Sequence, residues 1–156
     1  MMARHLQDRD VAAGRRAAWL LLAQVVERGV EPATAAALSL APELAPHLEP
    51  PVDFDAQAAR HYALFGLAVY PYAGLFLDRD GEAGSPQILA WYERHGFSAP
   101  ASQSADHVGS LLRFLATLPP DEARAFAETV LLPMLPPLLV AVSREGDPLY
   151  EAIFAL

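Results

Sequence analysis

The chain has 156 residues, 53% of them hydrophobic, a length that makes one domain and an apolar content that fills a single core without cross-links. Its 11 basic residues, all arginine, stand against 19 acidic ones for a net charge of -8, the wrong sign for a phosphate-binding surface, so nucleic acid is a poor partner. Cysteine is absent, which removes disulfide scaffolds, thiolate zinc sites, iron–sulfur ligation and cysteine nucleophiles, and agrees with a reducing cytoplasm.

Apolar residues recur at helical spacing nearly throughout, and the punctuation is proline rather than the Asn-Gly or Asp-Gly pairs of hairpins. The pattern predicts an all-α chain, a single domain over 1–156 of about seven to eight helices. The first helix runs from about Asp8 to Arg28 and ends at Gly29, which suits a left-handed C-terminal cap. Within it, Arg15-Arg16 followed by AAWLLLAQVV superficially resembles a twin-arginine export signal. Asp8 and Asp10 precede the arginines, Gln24 and Glu27 interrupt the apolar side, and Trp19, Leu22, Val26 and Val30 recur at helical spacing. An amphipathic first helix therefore accounts for the segment better. No run reaches the roughly 18 uninterrupted apolar residues of a membrane span, because charge or proline breaks each one.

A shorter helix follows Pro32. The stretch APELAPHLEPPVDF carries four of the fourteen prolines, too many for a helix, and reads as a stiff extended linker over about 41–52. A third helix starts at Asp53, whose carboxylate can cap it, and ends at or before Tyr70 because Pro71 disfavours helical torsions in the residue before it. Tyr62, Phe65 and Val69 fall on one face of that helix at i, i+3, i+7 and belong to the core. Beyond Pro71, Gly74 and the acidic turn of YAGLFLDRDG are poor helix material, so this apolar segment leaves the helix and can line a groove. Ser85-Pro86 is a cap followed by a first-turn proline, opening a helix through Trp91 and Tyr92 to about His95, with Gly96 as the stop.

The stretch SAPASQSA is a surface loop leading to a helix that starts at Asp106, with Asp106 as its cap. Pro119-Pro120 ends that helix and begins the next. From Asp121 the pattern Ala125, Val130, Leu131, Leu135, Leu138, Leu139 and Val142 is helical, and Pro133, Pro136 and Pro137 are expected to kink or split it into two. Asp147-Pro148 opens a last helix whose apolar face is Tyr150, Ile153 and Phe154.

No catalytic constellation emerges. His5, His47, His61, His95 and His107 lack H-x-x-x-H or E-x-x-H spacing, so no metal is expected. Ser102, Ser104, Asp106 and His107 are close in sequence but have no G-x-S-x-G elbow, and adjacency is not triad geometry. Gly66, Gly74, Gly81 and Gly84 match neither the P-loop nor the dinucleotide pattern. The expectation is a protein without enzymatic activity or cofactor. A groove with aromatic walls and an acidic rim suits a peptide that is apolar along its length and basic at one end.

Three blocks carry a resemblance. Tyr62, Leu64 and Phe65 with Tyr70-Pro71-Tyr72, Leu75-Phe76-Leu77-Asp78 and Gly81 form the first; Asp106-His107 with Leu111, Leu112, Phe114 and Leu115 form the second; Phe126 with LLPMLPPLL is the third. In these the sequence resembles the TorD/DmsD/NarJ family of redox-enzyme maturation chaperones, from about Tyr62 to the C-terminus. It departs from that family at Ser104-Ala105, where the family has Glu-Pro, and at Gly74, where it has serine. The chain is also short for the family, so a helix is expected to be missing or abbreviated. The resemblance implies a TorD-like helical fold and a cytoplasmic chaperone that binds the twin-arginine leader or apo form of a molybdopterin-dependent oxidoreductase subunit. It further implies peptide contacts at Tyr72, Leu75, Phe76, Asp106 and His107. The alternative is a helical interaction or regulatory module unrelated to export, with Asp106 a cap and the aromatics core. The proline-rich linker before Asp53 permits a homodimer by helix exchange.

Overall fold

The structure of the protein, a computed structural model, describes the backbone of residues 2–77 and 84–156 and the side chains of 10–77 and 86–156. Asp78 and Gly81 therefore lie outside the described residues, and Ser85 falls inside a helix that already begins at Gly84, so the expected cap there is corrected. Helix α1 (Met2–Arg28) is followed by α2 (Pro32–Leu38), a 3-10 turn (Ala45–His47), α3 (Phe54–His61), α4 (Gly74–Leu77), α5 (Gly84–Arg94), α6 (Val108–Leu115), α7 (Pro120–Phe126), α8 (Leu132–Arg144) and α9 (Pro148–Ala155). Counted as continuous runs, these make eight helices among the described residues, and the fold is all-α as expected.

The helix limits follow local chemistry. Gly29, Gly96 and Gly146 take φ of 85°, 62° and 68° just past α1, α5 and α8, a conformation open to glycine without the Cβ penalty. Asp53 accepts from the Ala56 amide at the start of α3, and Asp147 from the Leu149 and Tyr150 amides at the start of α9. Each carboxylate satisfies first-turn N–H groups that have no partner within the helix.

Two runs depart from ideal α geometry. α3 widens into a π-helix over Tyr62–Ala68, where the amide of Val69 bonds the carbonyl of Leu64 at 2.7 Å. With i→i+5 bonding the buried pair becomes Leu64 and Val69, five apart, and Tyr62 is turned out to 64% exposure. The expected core face of Tyr62, Phe65 and Val69 is corrected accordingly: Tyr62 lies instead against Gly66, where a Cβ would come within 2.8 Å of its ring.

The second departure joins α7 to α8 through a π-helix at Ala127–Leu131, giving one run from Pro120 to Arg144. The expected split at the prolines does not occur. Pro136 and Pro137 remove the amides that would bond the carbonyls of Leu132 and Pro133, and both of those residues are exposed, on the side of the run that faces solvent. At 25 residues this run is long and apolar enough to cross a membrane by length and composition, contrary to the expectation that proline interrupts every such stretch. Its Val130, Met134, Leu138 and Val142 are buried within the protein instead.

The proline-rich segment is not an extended linker. It folds into turns around Ala45–His47 and buries Leu44 and Leu48 to 1% and 3% exposure. Its prolines exclude helix and strand but not tight turns, and the two leucines fix the segment to the core. α4 likewise corrects an expectation, since Gly74 begins a short helix rather than an irregular segment.

The core is built around α6. Phe114 is fully buried and meets the rings of Tyr92, Phe97 and Phe126 at centroid distances of 4.7, 5.2 and 4.8 Å, a cluster of tilted and edge-on pairs that aromatic quadrupoles favour. α1 makes the most extensive helix–helix contact with α6. There Glu27, its side chain 5% exposed, is forked by Arg113 through Nε at 2.8 Å and Nη2 at 2.6 Å. The two helices approach so closely at Gly109 that a Cβ would lie 2.5 Å from Cγ and Oε1 of Glu27.

Candidate functional site

The two segments singled out in the sequence are brought together by the fold. Tyr72 and His107 form an isolated antiparallel bridge in which the Ala73 amide donates to the Asp106 carbonyl at 2.8 Å and the Val108 amide to the Pro71 carbonyl at 2.9 Å. A third tie runs from the Gly74 amide to Oδ2 of Asp106 at 3.2 Å. Three hydrogen bonds therefore fix the start of α4 against the start of α6. The turn at Pro71, closed by the Tyr72 amide to the Tyr70 carbonyl at 2.9 Å, aims Tyr70 and Tyr72 to the same side.

That side is an open cleft of about 490 Å³ lined by Tyr70, Tyr72, Gly74, Leu75 and Asp106. Tyr70 is 50% and Leu75 63% exposed, so the cleft presents an apolar wall to solvent. Phe76, two positions beyond Gly74, is half-buried and packs against the core rather than lining the cleft. Tyr70 was not among the residues expected to contact a peptide; the Tyr-Pro-Tyr spacing is the signal that identifies it.

Asp106 is not the cap of α6, which corrects the sequence expectation. The cap is His107, whose Nδ1 accepts from the Gly109 amide at 3.0 Å. Asp106 is displaced one position outward because its backbone is committed to the bridge. Its carboxylate accepts from Gly74 and from the Ser104 hydroxyl, leaving further lone-pair positions toward the cleft for a cationic donor. The loop behind it is held by the Tyr92 hydroxyl donating to the Ala105 carbonyl at 2.6 Å and by the buried Ser110 hydroxyl donating to the Ser104 carbonyl at 2.8 Å. Burial, with the Asp106 charge in addition, pushes the Tyr92 hydroxyl well above the usual phenol range, so it stays a donor.

His107 is 6% exposed, with its ring edge-on to Tyr72 at 5.4 Å. Burial lowers its pKa below the ordinary histidine value, against the opposing pull of Glu27 and Asp106, while His61 acts in the same direction as burial. The ring is thereby kept neutral, as an Nδ1 that accepts from a backbone amide must be. A positive imidazolium at a helix N-terminus would also meet the positive end of the helix dipole. His107 supports Tyr72 from behind and does not line the cleft.

No group of three or more potential metal-binding side chains occurs among the described residues. Ser102, Ser104, Asp106 and His107 are not arranged as a triad: the Ser104 hydroxyl bonds the aspartate, and Nδ1 of His107 is taken by the Gly109 amide. The arrangement is chemically suited to holding a chain segment, with an aromatic and aliphatic wall and one carboxylate at its edge.

No curated protein and no solved structure matches the chain significantly. The family model described as nitrate reductase delta subunit matches residues 9–139, from within α1 to within α8 and including both segments that form the cleft. The chain belongs to the nitrate reductase delta subunit family, the NarJ/TorD type of redox-enzyme maturation chaperone.

Proposed function

We propose that this chain is a cytoplasmic chaperone that binds the twin-arginine leader, or the apo form, of a molybdopterin-dependent oxidoreductase subunit, holding it until cofactor insertion is complete and preventing premature export. The family supplies the coarser statement, a role in molybdoenzyme maturation rather than catalysis. The observation that carries the finer one is the cleft itself: exposed Tyr70 and Leu75 and half-buried Tyr72, with the Asp106 carboxylate at their edge. A leader has an arginine pair followed by an apolar run. Its guanidinium groups suit a carboxylate through charge-assisted bonds, and its apolar run suits the aromatic wall. In this reading Tyr72, Leu75 and Asp106 touch the peptide, and Phe76 and His107 hold the wall in place. A homodimer made by helix exchange about residues 41–52 would have to draw Leu44 and Leu48 out of the core.

Titration calorimetry against synthetic leaders of candidate molybdoenzyme subunits tests the reading. Leu75→Asp, at an exposed position that tolerates charge, and replacement of the leader's arginine pair by alanine should each weaken saturable binding at least about tenfold, or about 1.4 kcal/mol. Leader binding that survives both changes, or no binding to any leader, would refute the assignment.

A further inference from the structure

The arginine pair of the first helix, Arg15 and Arg16, is given no task by the leader-binding cleft. Both are exposed. With Arg124 of α7 they line a second cleft, of about 170 Å³, floored by Trp19, Leu115 and Leu118. α6 connects the two sites: Asp106, just before its start, lines the first cleft, and Leu115 at its end floors the second, about 12 Å away along a helix of eight residues.

Three features define what this second cleft can hold. Among the described residues, no carboxylate lies within ion-pairing distance of Arg15, Arg16 or Arg124; the three ion pairs present use other groups, and Glu122 on the same helix as Arg124 faces His95. A chain of net charge -8 thus concentrates three positive charges around one apolar depression, the reverse of its prevailing sign. Backbone donors are also scarce there. Pro119 and Pro120 at the start of α7 carry no N–H, and Asp121 and Glu122 occupy its first turn, so the cradle that phosphate groups use at a helix start is missing. What remains is guanidinium forks over an indole and two leucines, which matches carboxylates alternating with apolar side chains. A twin-arginine leader carries the wrong charge for it.

We propose that this cleft docks an acidic, apolar-bearing segment of a partner protein, with its carboxylates held by Arg15, Arg16 and Arg124 and an apolar side chain seated on Trp19. The inference stands apart from the leader reading, because the two sites select opposite charges.

Fluorescence anisotropy with the full chain and a labelled, end-capped peptide alternating glutamate and leucine tests it, with the glutamine-for-glutamate peptide as control. The expected result is saturable binding of the glutamate peptide that weakens as salt rises. It should be at least about tenfold weaker in the triple variant Arg15→Gln, Arg16→Gln, Arg124→Gln, whose exposed positions leave folding intact by circular dichroism. The triple variant should bind leaders as the parent does, and Leu75→Asp should bind the glutamate peptide as the parent does, so the two sites fail separately. Equal binding of both peptides, or undiminished binding in the triple variant, would overturn the proposal. So would a concentration-dependent dimer abolished by the triple substitution in a protein that binds neither peptide, since the cleft would then belong to a second copy of this chain.

Discussion

Gly109→Ala is the substitution whose outcome most directly tests the packing of α1 on α6. Glycine-to-alanine changes inside helices usually stabilise, by up to about 1 kcal/mol, through helix propensity. Here the new Cβ would stand 2.5 Å from Cγ and Oε1 of Glu27 and 2.9 Å from its Cδ. Glu27 would have to abandon the rotamer that presents its carboxylate to Arg113 at 2.6 and 2.8 Å. Glu27 is buried but the Arg113 side chain keeps 31% exposure, so breaking the pair costs about 3 kcal/mol, the lower end for buried pairs, which exceeds the propensity gain and leaves a net loss of about 2 kcal/mol. For a domain of this size that lowers the melting temperature by roughly 4–8 °C. Urea denaturation followed by circular dichroism measures it. The three atoms nearest the new Cβ all belong to one side chain, so in a Glu27→Ala background the same substitution should become neutral or stabilising. A Gly109→Ala variant more stable than the parent, or equally destabilised in both backgrounds, would refute the argument.

Two further predictions follow from the same structure. His107 titrates lower when folded than the ordinary value of 6.5 because burial dominates its surroundings, so the unfolded chain takes up the proton first. Its contribution is therefore fully present above about pH 6.5 and is lost as pH falls from there toward the lowered folded pKa. Urea midpoints measured across that window should drop with acidification. His107→Ala should flatten that component while costing about 1 kcal/mol at neutral pH from the lost cap. Phe114→Ala removes a fully buried ring from contact with Tyr92, Phe97 and Phe126, and a loss of about 3–5 kcal/mol in the same assay is expected.

The sequence by itself determined the helical class, the caps at Asp53 and Asp147, the glycine stops after α1 and α5, and the buried face of α9. These are local matters, decided by which residues can satisfy the ends of a helix or must break it within a turn or two. The family resemblance, carried by the aromatic-proline pattern and the Asp-His pair, singled out Tyr72, Leu75, Phe76, Asp106 and His107; of these Tyr72, Leu75 and Asp106 line the cleft, and Phe76 and His107 stand behind it. What only the tertiary structure decided involves residues far apart in the chain. The bridge between Tyr72 and His107 takes the Asp106 carbonyl and the Val108 amide, which flank His107, and the cap passes to His107. The two π-helices move Tyr62 outward and keep a proline-rich run continuous, because i→i+5 bonding changes which positions share a face. Leu44 and Leu48 pull a segment that reads as a linker into the core. The fork between Glu27 and Arg113, 86 positions apart, and the gathering of Arg15, Arg16 and Arg124 around Trp19 leave no local signature. Charge and apolar period describe one helix at a time, and only the packing of α1 against α6 and α7 places those side chains together.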